Sequence, residues 1–74
     1  QKLSNCKIGE KVVFASVTSS DDDFLNYLNT RNLELGKKIE ILEIEKYDKS
    51  MAVKIDKSQV VLSKIVCEKI LVKP

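Results

Sequence analysis

The sequence predicts a mainly β fold: a small closed barrel of five short strands, with one α-helix after the first strand and a short helical turn before the last. Three observations carry that prediction. Apolar residues alternate with polar ones over brief stretches between turn signals, most clearly at Met51, Val53 and Ile55. A single segment, around Phe24, Leu25 and Leu28, repeats at helical spacing. The alternation also slips phase between Ile41 and Leu42, which marks a β-bulge, and small barrels use bulges to turn corners and hide their edges.

Leu3 to Ile8 reads as an approach segment, closed by a turn at Gly9-Glu10. Lys11 to Thr18 is the first strand. Val12 and Phe14 point one way while Val13, Ala15 and Val17 point the other, so both faces are apolar and a bent strand that feeds the core along much of its length is expected. Ser19-Ser20-Asp21-Asp22-Asp23 is a helix start, because Ser and Asp side chains accept from the free N–H groups of the first turn and acidic residues suit the positive end of the helix dipole. The helix then runs through Phe24, Leu25 and Leu28 and ends near Asn32. Gly36 suits a turn that needs positive φ.

Lys37 to Lys46 is the second strand. Ile39 and Ile41 hold one apolar phase, and Leu42 and Ile44 hold the other. Tyr47-Asp48-Lys49-Ser50 is a turn, Met51 to Ile55 the third strand, and Asp56-Lys57-Ser58-Gln59 a second turn. Val60 to Leu62 is a short strand, Ser63 caps a single helical turn through Glu68, and Ile70 and Val72 form the last strand.

Length and composition bound the function. The 74 residues make one domain, and a chain of that size buries only about 60% of the surface its unfolded form exposes, leaving a stability of a few kcal/mol. Hydrophobic residues at 43% and charged residues at 32% describe a globular chain. The 13 Lys and Arg against 11 Asp and Glu give +2, too balanced for a strong electrostatic hold on nucleic acid or anionic lipid. No apolar run approaches the length that crosses a bilayer. The chain contains no His, which removes Ser-His and Cys-His nucleophilic pairs and the commonest transition-metal ligand, and its two Gly leave no phosphate-cradling loop. The reading is therefore of a binding module rather than an enzyme. The chain opens at Gln1, not Met, and reads as a segment of a longer protein.

Four clusters are candidate sites, each with a plainer reading. Asp21-Asp22-Asp23 offers carboxylate oxygens to a hard cation, yet consecutive helical residues diverge, and a solvated helix start explains them better. Cys6 and Cys67, near opposite ends and without C-x-x-C spacing, could form one bridge if the termini meet, or act as soft metal ligands, yet read better as two reduced, inert thiols in a cytoplasmic chain. Lys37, Lys38, Lys46, Lys49, Lys54 and Lys57 could meet phosphate, but scattered Lys opposed by Glu makes an ordinary charged surface, and Arg31 is the only Arg. Phe24, Tyr27 and Tyr47 are too few for a base-stacking platform, with Phe24 assigned to the core.

Leu3 followed by Lys7-Ile8-Gly9-Glu10, then Leu33-Glu34-Leu35-Gly36-Lys37-Lys38-Ile39-Glu40-Ile41, then Val60-Val61-Leu62-Ser63 and Ile70-Leu71-Val72, resembles the FeoA-type domain over nearly the whole chain. That family occurs in two contexts. Stand-alone FeoA proteins, accessories of the ferrous-iron transporter, carry a Pro before the central Gly, a P-x-G-D-P loop and a terminal A-L-R. This chain has Leu35, Tyr47-Asp48-Lys49-Ser50-Met51 and Leu62-Ser63-Lys64 at those places. With Phe24-Leu25-x-Tyr27-Leu28 on the helix, these features look like the C-terminal domain of iron- or manganese-dependent repressors of the diphtheria-toxin-repressor (DtxR) type.

The resemblance implies an SH3-like barrel, residues 1–74, that follows a winged helix-turn-helix and a metal-binding dimerisation domain. It implies a regulatory, protein-interaction role in a repressor that controls metal uptake. Fe²⁺ or Mn²⁺ would be the cofactor of the full-length parent, with none in this segment. Its partners would be the other domains of its own chain and a homodimeric partner subunit, with DNA met only through the N-terminal domain and no membrane contact. In some members the barrel lends oxygen ligands to a metal held mainly by the preceding domain, which makes Glu40, Glu43, Glu45 and Asp48 candidates beside their reading as a polar strand face. The alternatives are a stand-alone accessory of a ferrous transporter and a barrel that binds nucleic acid directly.

Overall fold

The computed structural model describes residues 1–74. A 3-10 turn, Leu3–Asn5, precedes β1 (Lys11–Val17), α1 (Asp22–Thr30), β2 (Lys38–Ile44), β3 (Met51–Ile55), β4 (Ser58–Leu62), α2 (Lys64–Glu68) and β5 (Ile70–Lys73). The strands form one antiparallel sheet in the order β4-β3-β2-β1-β5. Each expected element is present; β4 begins at Ser58 rather than Val60.

One expectation is corrected: the sheet does not close. Its outer strands β4 and β5 do not pair, and α2 connects them, with the 3-10 turn packed against both α2 and β5. The reason lies in the connection. Ser63 Oγ accepts from Val66 N–H at 3.4 Å, and Cys67 N–H donates to Ser63 O at 3.0 Å, so the segment satisfies its backbone groups as a helical turn. A helical turn seals the gap with side chains instead of ladder hydrogen bonds.

Two bulges bend the sheet. The first falls between Ile41 and Glu43, where the sequence phase slips. The second falls between Phe14 and Ser16, where β1 changes partner: Lys11–Val13 pair with β2, and Val13–Val17 with β5. It also corrects the reading of β1 as apolar on both faces. Val12 and Phe14 are buried, Val13 and Val17 are half-buried, and Ala15, left out of the ladder, is exposed.

Helix α1 starts as expected: Asp21 Oδ1 accepts from Asp23 N–H at 3.0 Å. It ends at Thr30 with Arg31 as its cap, and Asn32, at φ +63°, lets Leu33 N–H reach back to Leu28 O at 2.9 Å. Phe24 and Leu28 are buried, but Leu25, one residue step around the helix, lies on its flank and is 36% exposed. Gly36, at φ +88°, then turns the chain into β2; its N–H donates to Phe14 O and Phe14 N–H donates to Lys37 O, both at 2.9 Å. The helix exit is thus stitched to β1.

The core holds 17 buried residues, every one hydrophobic, with Phe14, Ile41 and Val53 among them and no buried polar side chain. Each large side chain removed from water contributes roughly 1.5–3 kcal/mol, and the core is what sets stability in so short a chain.

Candidate functional site

The acidic candidates separate in space. Asp21 is spent as the α1 cap, with Asp22 and Asp23 exposed in the first turn. Glu40 sits between Lys11 on β1 and Lys54 on β3 in the sheet register, an alternation of charge across three strands that stabilises the pairing. Glu43 and Glu45 share a shallow groove of about 180 Å³ with Ser50, Ala52 and Val61. Asp48 closes its own turn: its Oδ1 accepts Ser50 N–H at 3.0 Å and Ser50 Oγ at 2.7 Å. Those two bonds hold the Asp48 carboxyl below its ordinary range. No three His, Cys, Asp or Glu side chains converge on a point that could hold a metal ion.

The basic candidates are dispersed as well. Lys37 Nζ lies 2.9 Å from Asp56 Oδ2, a bond that raises the Lys37 pKa and ties the entry of β2 to the β3–β4 turn. Lys38 and Lys54 line a groove with Lys11, Glu40 and Asp56, in which both signs of charge mix. Arg31 lies over the Tyr27 ring, 3.6 Å from its centroid, and donates to Tyr27 O at 3.2 Å and Thr30 Oγ1 at 3.1 Å. Its guanidinium is occupied on its own helix. Tyr47 is 95% exposed and Phe24 is buried with Lys69 over its ring, so the aromatic residues do not share a face.

Cys6 and Cys67 are free and buried. Gln1 Nε2 donates to Cys6 Sγ at 3.3 Å, and Cys67 Sγ donates to Leu62 O at 3.8 Å. The 3-10 turn packs on α2, which brings Cys6 close enough for Cys67 to sense its charge. Burial first, and that neighbour second, push the Cys67 thiol up to about 12; burial also raises Cys6.

What the sequence reading missed is apolar surface. A groove of about 410 Å³ runs between α1 and β1, lined by Phe14, Val17, Leu25, Leu28, Leu33 and Leu35, and Leu35 is 68% exposed at its rim. Val61 and Ile65, each 64% exposed, line a second groove with Ser63 and Lys64. The period of β4 carried the signal for Val61: if Val60 and Leu62 turn inward, Val61 must face out.

Comparison with known proteins places this geometry. The family model described as the FeoA domain matches residues 1–74. The chain belongs to the FeoA domain family. This FeoA domain superposes on a manganese-dependent transcriptional repressor with a TM-score of 0.91 at 22% identity, over 99% of this chain and 40% of that one. It is similar to the FeoA protein from Chlorobium tepidum (TM-score 0.87, 22% identity, 99% of this chain and 69% of that one). It is also similar to an iron uptake regulatory protein, FeoA (TM-score 0.88, 16% identity, 99% of this chain and 95% of that one). The SH3-like FeoA fold expected from the motifs is present. No curated protein sequence matches the chain significantly. The chain spans about two fifths of the manganese-dependent repressor, 40% of its length. No helix is long and apolar enough to cross a membrane.

Proposed function

We propose that this FeoA domain is the C-terminal regulatory domain of a metal-dependent repressor of the DtxR type that controls iron or manganese uptake. The observation that supports this most directly is the similarity along the whole chain to manganese-dependent repressors, with TM-scores of 0.91 and 0.92. The Tyr47-to-Met51 loop and the Leu62-Ser63 ending point the same way. In this reading Fe²⁺ or Mn²⁺ binds the preceding domains, DNA is met by the N-terminal domain, and the full regulator is a cytoplasmic homodimer. The domain performs no reaction. It biases the regulator by docking differently on its active and inactive states, since only differential affinity shifts a population. The test is deletion of residues 1–74 from the full-length regulator. Metal-activated DNA affinity or dimer stability is expected to change by roughly tenfold or more, equivalent to about 1.4 kcal/mol. No change in either quantity overturns the regulatory role.

A second reading is a stand-alone accessory of a ferrous-iron transporter, favoured by the 95% coverage of the iron uptake regulatory protein. An immunoblot of the native organism separates the two. A band near the 8.4 kDa of this chain supports the accessory, and a band several-fold larger supports the repressor.

A further inference from the structure

The first and last residues of the chain lie side by side. Gln1 and Lys2 run along the free side of β5: Val72 N–H donates to Gln1 O at 2.8 Å, Gln1 N donates to Val72 O at 3.1 Å, and Lys2 bridges Leu71. From that bridge the two segments continue in opposite senses. Cys6 lies four residues after Lys2, and Cys67 lies four residues before Leu71. The first of these stretches holds the 3-10 turn and the second holds the end of α2. Helical turns rise only about 1.5–2 Å per residue, so both stretches are shortened alike and the two cysteines stay abreast. The packing of the 3-10 turn on α2 agrees with that placement.

Both thiols are free, and both belong to the single hydrophobic core, Cys6 at 3% exposure and Cys67 at 0%. Each backbone is fixed by its own turn: Cys6 N–H donates to Leu3 O and Cys67 N–H donates to Ser63 O, both at 3.0 Å. The core holds no buried polar side chain that would separate the sulfurs. Cys67 also senses the charge of Cys6.

We propose that Cys6 and Cys67 are a latent disulfide pair, which an oxidant joins so that the 3-10 turn is fastened to the helix sealing the open side of the sheet. The oxidant is a low-molecular-weight disulfide. The Cys6 thiolate attacks one sulfur of that reagent, forming a mixed disulfide and releasing one reagent thiolate. The Cys67 thiolate then attacks Cys6 Sγ and expels the other. Each protein thiol gives up its proton, and the two electrons lost by the pair reduce the reagent disulfide to two thiols. Cys6 takes the first step because Gln1 Nε2, 3.3 Å from its sulfur, favours the thiolate, whereas Cys67 has no such donor. Burial makes the exchange slow, and it proceeds when the 3-10 turn loosens. The bond closes a loop from Cys6 to Cys67, most of the chain, and so removes much of the freedom of the unfolded state. This inference stands on the meeting of the chain ends and is independent of whether the parent is a repressor or a transporter accessory.

Equilibration of the chain with mixtures of reduced and oxidised glutathione tests it, in native buffer and in urea, with the products read by intact mass. In native buffer the expected product is a monomer that lacks both thiol hydrogens and carries no glutathione. Its equilibrium constant should exceed that of the urea-unfolded chain by roughly 30- to 1,000-fold, because a bond that stabilises the fold is stabilised by the fold to the same degree. The bridged chain should melt about 10 °C or more above the reduced one and return to the lower value on reduction. The Cys67→Ala chain should stop at the mixed disulfide on Cys6 and show no such rise; the wild-type comparison needs no variant to fold. Equal equilibrium constants in the two solvents overturn the proposal, as does a bridged chain that melts no higher than the reduced one. A native product that carries a glutathione on each cysteine, or is mainly a covalent dimer, also overturns it.

Discussion

The backbones of Gln1 and Val72 exchange two hydrogen bonds, at 2.8 and 3.1 Å, and fasten the start of the chain to its last strand. Leu3 follows at once, with no exposed surface. The first turn is therefore part of the core and not a loose end. Leu3→Ala is expected to cost about 2–5 kcal/mol, a large share of the stability of a domain this small. Urea denaturation followed by circular dichroism measures it; a loss below about 0.5 kcal/mol, the scale of surface changes, would contradict the burial.

At Gly36 the cost of substitution is conformational alone. A Cβ there would meet nothing within 4 Å, but the backbone sits at φ +88°. Gly36→Ala should lower stability by about 1–2 kcal/mol, the penalty of a left-handed conformation for a residue with Cβ. Gly36→Asn should cost less, because Asn tolerates that region. Equal losses for the two variants would point to packing instead.

The Cys67 thiol supplies a pH prediction. Its folded value of about 12 lies above the ordinary 9.0, so the unfolded chain gives up this proton at lower pH than the folded one. The stabilising contribution is complete below pH 9.0 and falls away as pH rises towards about 12. Cys67→Ala should flatten this alkaline decline in a series of melting curves. At neutral pH a thiol reagent should modify the native chain far more slowly than the urea-unfolded one. Equal rates would show that the thiols are accessible.

Asp48 behaves in the opposite sense. The two bonds from Ser50 stabilise its carboxylate, so the folded value is depressed below 3.8. The contribution to stability is present above that pH and is lost as pH falls through the folded value. An NMR titration of the Asp48 carboxyl should give a midpoint below 3.8, and Ser50→Ala should move it back up. A midpoint indifferent to Ser50→Ala would remove the turn bonds as the cause.

Much of the fold was legible because its signals are local. Alternation at Met51, Val53 and Ile55 defined β3, and the phase slip at Leu42 located a bulge. Asp21 and Ser63 marked the two helix starts through the capping chemistry of their own side chains. The bulge after Phe14 was missed because Val12, Val13, Phe14, Ala15 and Val17 are all apolar; Ser16, polar in the phase of Val12 and Phe14, was the one sign of a change. For the site, the sequence identified the charged clusters, but their dispersal is a matter of register: Glu40 falls between Lys11 and Lys54, away from Glu45 and Asp48.

Taken alone, then, the order of residues determined the elements, their caps and turns, an all-hydrophobic core and the family. Those properties depend on neighbours within a few positions along the chain. Tertiary structure decided that the sheet stays open, that Gln1 and Lys2 cover the β5 edge, and that β4 is left bare. Each of these depends on contacts between residues far apart in sequence. Hydrophobic periodicity says which way a side chain faces and is silent on which strand lies beside it.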